Sequence, residues 1–274
     1  MTNSNKIRII FDGARTAEFN MACDESFLIR LSEGLASPTL RFYAWEKPTV
    51  SYGYFQDPEK IIDFNRLKEY GFTSVRRPTG GRAVLHWKEV TFCITIPTDG
   101  ESLQEIFKNI HLGLCEGLKK IGIPAEVVPY RTSPSDFEST PQADGKNRTA
   151  SCFASPSRFE LSINGKKAAG TAQKQLKGFL LAHGSIPIKS TYRELFDVLK
   201  FPDEETRNTL YEKARKKMTS IFDETGREFT FNEIAHAAAD GIIKSRGLLP
   251  EIYPITDEEA EEIWKIGKTA KLKY

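Results

Sequence analysis

A doubled glycine, one loop cysteine, one lysine and two histidines are the residues whose types and settings suit chemistry. Arg76-Arg77-Pro78-Thr79-Gly80-Gly81-Arg82 runs on to His86. Two adjacent glycines between extended stretches let a ligand reach bare backbone, whose amides can hold an acyl or phosphate oxygen. Arg76, Arg77, Arg82 and His86 supply donors and positive charge around it, although a tight turn with solvated charges has the same pattern. Cys152 lies among small residues in TASCFASPS (149–157), at the end of a polar loop, a setting that suits an accessible nucleophile. A thiol titrates near ~8.5, so a working thiolate needs a cation or an amide dipole beside it. Lys167, just past an Asn-Gly turn, is one such cation; a solvated hairpin end is its plainer reading. His183 interrupts an apolar run and precedes Gly184, which leaves room for backbone; a buried, satisfied histidine explains it equally well. No aspartate completes a Cys-His-Asp set by spacing.

Several elements must position these groups. Residues 7–11 predict a strand and 20–31 a helix capped by Asn20, with Asp24 and Glu25 in its first turns. Residues 39–45 and 49–54 are aromatic and β-branched and predict an antiparallel hairpin across Glu46-Lys47-Pro48. Helical spacing over 64–70 stops at Gly71, and 73–77 are extended up to Pro78. Residues 83–85 and 90–97 predict strands, and 103–121 is the clearest amphipathic helix, stopped by Gly122. Strand character returns over 125–128, and 129–149 form a long polar loop leading to Cys152. Residues 159–163 and 166–173 flank Asn164-Gly165 as a hairpin, and 178–188 add a strand. Beyond Thr191 the chain turns helical, with capping boxes at Thr230 with Glu233 and Thr256 with Glu259, and reads as a small separate lobe.

Alternating strands and helices favour a mixed α/β or α+β domain. The chain has 274 residues, 39% hydrophobic and 28% charged, which excludes disorder, collagen and coiled coil. Lys+Arg 39 against Asp+Glu 37 leaves a net charge of +2, too balanced to bind nucleic acid or membrane by charge alone. The N-terminus lacks the apolar core of a signal peptide, and no apolar run approaches a spanning helix, so a cytoplasmic protein is expected. Cys23, Cys93, Cys115 and Cys152 form no CxxC pair, which points to neither a disulfide framework nor a zinc site; the first three sit in apolar patterns. The run Lys213-Ala214-Arg215-Lys216-Lys217 suits an acidic partner or simply a solvated helix face.

Taken together, four segments resemble the biotin/lipoate protein ligase superfamily, and within it the cysteine-dependent octanoyltransferases that load octanoyl onto the lysine of lipoyl domains. They are FNMACDESFL (19–28), VRRPTGGRAVLHWKEVTFCITIP (75–97), SCFASPSRFEL (151–161) and NGKKAAGTAQKQLKGFLLAHGSI (164–186). The resemblance implies a mixed, largely antiparallel sheet flanked by helices, with a catalytic domain over 1–250, its core about 35–250, and a helical extension over 251–274. It implies that Gly80 and Gly81 line an acyl pocket, that Cys152 carries the acyl group, and that Lys167 meets the acyl carbonyl and lowers the thiol's pKa. Arg76, Arg82, His86, Gly170 and His183 fall around the substrate; His86, His183, the leaving thiolate and water are all open as the base that frees the acceptor amine. No cofactor is implied. The implied donor is octanoyl-acyl-carrier protein, and the acceptors are lipoyl-domain proteins such as the glycine-cleavage H protein, steered by Arg76, Arg77 or the 213–217 run. ATP-dependent lipoate ligases typically carry a third glycine and lack the cysteine, whereas here Arg82 follows Gly81 and Cys152 is present. Amidotransferases between lipoyl domains remain an alternative. Trp87 stands where an acidic residue is frequent.

Overall fold

Strands buried on both faces need helices on both sides, and that requirement organises the chain. The computed structural model describes residues 5–129 and 159–271. In chain order the first half holds β1 (Lys6–Arg15), α1 (Ala17–Ser32), β2 (Thr39–Trp45), β3 (Thr49–Tyr52), α2 (Pro58–Ile61), α3 (Phe64–Glu69), β4 (Thr73–Arg76), β5 (Val84–His86), β6 (Glu89–Pro97), α4 (Leu103–Lys120) and β7 (Ala125–Pro129). The second holds β8 (Phe159–Ile163), β9 (Lys166–Lys167), β10 (Gly170–Leu176), β11 (Phe179–Pro187), α5 (Tyr192–Val198), α6 (Glu204–Arg215), α7 (Ile221–Thr225), α8 (Phe231–Arg246), β12 (Leu249–Ile252) and α9 (Asp257–Lys271).

The main sheet runs β10-β11-β6-β2-β1-β12. Its pairings are antiparallel from β10 to β2 and parallel from β2 through β1 to β12. Strand alternation sorts the residues between two helical layers. Leu40, Phe42, Phe92 and Ile94 pack with Ile110 and Leu114 of α4 and Ala238 and Ile242 of α8. Tyr43 and Cys93 pack instead with Met21 and Leu28 of α1. Two small sheets, β4-β3-β5 and β7-β8-β9, flank this frame. Among the described residues no helix is long and apolar enough to cross a membrane.

Three local expectations change. Residues 39–45 and 49–54 form no hairpin, because β1 and β6 occupy both edges of β2 and leave β3 to pair with β4 and β5. The Asn164-Gly165 turn forms, but β8 and β9 share only two residue pairs. Lys167 donates its amide to the Lys217 carbonyl and accepts from the Thr219 amide, so the chain leaves the hairpin and joins the main sheet as β10. Helix α1 begins earlier than Asn20. Thr16 caps it by accepting from the Phe19 amide, and Asn20, buried, bonds the Ala44 carbonyl and Arg41.

Late in the chain the capping box at Thr230 and Glu233 is complete. At Thr256 only half forms: its hydroxyl accepts from the Glu259 amide, while the Glu259 carboxylate takes both arms of Arg8 at 2.7 and 2.8 Å. Strand β12 extends the main sheet beside β1, and α9 reaches α1 through Arg30 and Glu262 at 3.0 Å.

Candidate active site

A cleft open to solvent lies where the main sheet meets the sheet of β3 and β5. Tyr43 and Trp45 of β2, Ser51 of β3, His86 of β5, Gly170 of β10 and His183 of β11 line it, together with Arg77.

The glycine segment is held from beneath. Arg77 is 4% exposed, so it does not serve as the docking charge expected of it. Its guanidinium donates to the carbonyls of Gly80 (2.8 Å), Arg82 (2.7 Å) and Ser51 (3.1 Å), and to Ser51 Oγ at 3.2 Å. A planar fork with five N–H donors suits four such acceptors. Gly53 completes the packing, since a Cβ there would stand 2.0 Å from the Gly81 carbonyl oxygen. Gly81 itself has φ 95°, a conformation that glycine tolerates. Arg76 is exposed and donates to the carbonyls of Tyr54 and Gln56. Arg82 is partly exposed, and its carbonyl is the one Arg77 grips.

Two histidine–carboxylate pairs face this cleft. His183 bonds Asp24 Oδ2 through Nδ1 at 2.8 Å and Thr79 Oγ1 through Nε2 at 2.6 Å. Asp24 also accepts from the Tyr43 hydroxyl at 2.8 Å and lies 3.6 Å from Arg41. Burial holds His183 below its ordinary value, opposed by Asp24. Gly184, beside it, is required: a Cβ there would approach the Gly170 carbonyl oxygen to 2.5 Å. His86 bonds Glu89 through Nδ1 at 2.6 Å and Ser51 Oγ through Nε2 at 2.7 Å, with Trp45 stacked on its ring at 4.3 Å.

Lys167 of β9 pairs with Glu160 of β8 at 2.5 Å, both side chains about nine-tenths buried at 10% and 9% exposure. It also acts on His111 of α4, a fully buried ring that burial pushes down to about 4, with the Lys167 charge adding to the shift. His111 donates from Nδ1 to the Phe107 carbonyl and so presents Nε2 to the Thr171 hydroxyl at 3.1 Å. Thr171 lines the cleft, which links Lys167 to it through neighbours rather than by direct lining. Cys152 lies outside the described residues. Cys23, Cys93 and Cys115 are buried, and burial pushes the first and third up to about 12 and raises Cys93 well above its usual value. They are poor nucleophiles.

Of the sequence-derived candidates, His86, Gly170 and His183 meet at the cleft, with Gly80 and Arg82 tied to its rim through Arg77. Asp24 and Glu160, which in the sequence stand out only as helix and strand residues, join this site, as do Ser51, Glu89 and His111, which neither motif nor spacing marks. Asp24 stands inside FNMACDESFL, and Glu160 falls on the same strand face as Ser162, the register partner of Lys167. Among the described residues no three His, Cys, Asp or Glu side chains are grouped to hold a metal.

A model of the lipoyl protein ligase A/B catalytic domain matches residues 16–243. Octanoyltransferase LipM of Anoxybacillus flavithermus is 39% identical over 97% of this chain and 95% of its own length. The LipM of Halalkalibacterium halodurans is 37% identical over 95% and 94%. Among solved structures, a bipartite lipoate protein ligase from Thermoplasma acidophilum superposes with a TM-score of 0.76 at 21% identity, covering 97% of this chain and 93% of that one. A lipoate-protein ligase A bound with ATP gives 0.71 at 20%, covering 97% and 94%. At such identities these structures speak to the fold alone.

Proposed function

Because the chain belongs to the lipoyl protein ligase A/B catalytic-domain family, we propose that it is an octanoyltransferase of lipoate biosynthesis that works through a cysteine thioester. The observation that carries this reading is the likeness to octanoyltransferase LipM along 97% of the chain. Octanoyl-acyl-carrier protein is the proposed donor and a lipoyl-domain lysine the acceptor.

In the first step the Cys152 thiolate attacks the donor's thioester carbonyl, the carbon–sulfur bond to phosphopantetheine breaks, and the departing thiolate takes a proton. In the second, the lysine amine attacks the octanoyl-enzyme, nitrogen gives up its proton and Cys152 is released. An amide is more stable than a thioester, so no ATP is consumed. Lys167, an ammonium steadied by Glu160, favours the thiolate and then donates to the oxyanion, aided by the Gly170 amide. Donors of this kind are each worth about 10²–10³ in rate.

The test is intact mass after mixing the protein with octanoyl-acyl-carrier protein in the absence of ATP. A single octanoyl adduct, removed by hydroxylamine and absent from Cys152→Ser, is expected. An adduct that requires ATP and free octanoate would replace the transferase by a ligase.

A further inference from the structure

Of the charges expected to steer a partner, Arg77 is buried, and Arg76 ties down a loop through the Tyr54 and Gln56 carbonyls. The run Lys213-Ala214-Arg215-Lys216-Lys217 is what remains. Resting on the octanoyltransferase reading, we infer that this run is the docking rim for the acyl donor, where it receives the phosphodiester that joins the pantetheine arm to its carrier protein, and that it favours the donor over the acceptor.

Two independent contacts place the run at the edge of the site. It closes α6 and continues into a segment bonded to β9, where Lys167 donates its amide to the Lys217 carbonyl at 2.8 Å and the Thr219 amide donates to the Lys167 carbonyl at 2.9 Å. On its other side Ala214 and Met218 pack with Val84, which lines the cleft. The segment is pinned in place. The Tyr192 hydroxyl donates to the Thr219 carbonyl at 2.7 Å, and the Thr219 hydroxyl donates to Glu224 at 2.7 Å. With the apolar side turned inward, Lys213, Arg215, Lys216 and Lys217 are exposed. Bases in a last turn complement the carbonyl end of any helix, which accounts for Lys213 and Arg215. Lys216 and Lys217 follow that turn, on the segment that Lys167 holds.

Glu212, Glu224 and Glu160 each already hold a base, namely Arg215 at 2.6 Å, Lys166 at 2.9 Å and Lys167 at 2.5 Å. The bases of this rim outnumber those carboxylates, so it carries positive charge. The two substrates arrive there with opposite signs. The donor's arm brings a phosphodiester anion, for which lysine is a point-charge partner, and the acceptor brings a lysine ammonium. A positive rim attracts the first and repels the second. Because these side chains are exposed, each contact is weak and screened, and the run acts on the rate of encounter rather than on the chemistry.

The experiment compares octanoyl-enzyme formation from octanoyl-acyl-carrier protein with that from octanoyl-pantetheine, a thioester without phosphate or carrier, at limiting donor. The reversal Arg215→Glu with Lys216→Glu is expected to lower the ratio of the two kcat/KM values by about tenfold, through KM, and Arg215→Gln with Lys216→Gln by less. In the wild type the ratio should shrink from about 0.1 M to about 1 M salt, as the screening length contracts from ~10 to ~3 Å, and in the reversal variant it should barely move. An unchanged ratio, equal slowing with both donors, or an equal slowing of transfer from the isolated octanoyl-enzyme to a lipoyl domain overturns the inference. Wild-type loading from octanoyl-pantetheine with no preference for the carrier-bound donor also overturns it while leaving the transferase reading intact. Loading from neither thioester removes that reading and the docking rim with it.

Discussion

His183 and Asp24, 159 positions apart, are joined by a 2.8 Å bond between Nδ1 and Oδ2 in the floor of the cleft. Asp24 is the junction of that floor, because it also holds the Tyr43 hydroxyl and faces Arg41, all three with no exposed surface. Truncating it leaves a buried guanidinium short of one carboxylate and an imidazole without its acceptor. Asp24→Ala is expected to lower stability by about 3–5 kcal/mol, as the loss of one partner of a buried pair does. Urea unfolding of the variant measures this, and a change below about 1 kcal/mol would show the network to be dispensable.

Where local pattern decided the structure, the sequence was legible. Helix α4 appears within a residue of its expected end, and Thr230 with Glu233 forms the full capping box. What pattern cannot encode is the choice of strand partner. Thr49 and its neighbours are β-branched in any sheet, yet only the occupied edges of β2 send them to β4 and β5. The cleft divides in the same way. His86 and His183 stand out by residue type, while Asp24, Ser51 and Glu89 look like ordinary helix and strand residues until the fold brings them to those rings. The family resemblance implied the largely antiparallel sheet that the structure shows.

Arg77 is a buried rivet for the glycine segment. Arg77→Lys keeps the charge but offers one compact ammonium in place of a planar fork, so carbonyls among Gly80, Arg82 and Ser51 lose their donor. Each unsatisfied buried acceptor costs about 1–3 kcal/mol. The variant should unfold at distinctly lower urea, and octanoyl-enzyme formation should fall with it; wild-type values for both would mean that the segment needs no such support.

Gly53 and Gly80 make a paired test of space. A Cβ at Gly53 would overlap the Gly81 carbonyl, whereas at Gly80 it would meet nothing within 4 Å. Gly53→Ala is expected to destabilise by about 1–3 kcal/mol or to displace the loop. Gly80→Ala should unfold like the wild type, so a drop in octanoyl loading for that variant would report the acyl chain's path. Equal stability of the two variants would contradict the close approach.

His111 gives stability a pH dependence of definite sign. Its ordinary value is 6.5, and burial holds it at about 4 in the folded chain. Above 6.5 the ring is neutral in both states, and as pH falls the unfolded chain binds the proton first, so stability is lost between 6.5 and about 4. The full difference corresponds to roughly 3 kcal/mol. His111→Gln should therefore lose less stability than the wild type between neutral pH and the lower end of that window. Parallel losses, followed by urea unfolding at each pH, would remove His111 as the cause.

Lys167 and Glu160 carry the last prediction, because the pair separates electrostatic activation from simple packing. With both side chains about nine-tenths buried at 2.5 Å, removing the lysine deletes the cation and takes from Glu160 its ion-pair partner across the hairpin. Lys167→Ala is expected to slow octanoyl-enzyme formation by about 10²–10³, the worth of one oxyanion donor. Alkylation of Cys152 should shift to higher pH in the same variant, since the thiolate loses a stabilising charge. Glu160→Gln keeps an acceptor beside the ammonium and should retain most of the loading rate. If Lys167→Ala loads as fast as the wild type while Cys152 alkylates with an unchanged pH profile, Lys167 is a structural member of the β8–β9 hairpin, and the cation that activates Cys152 must come from another residue.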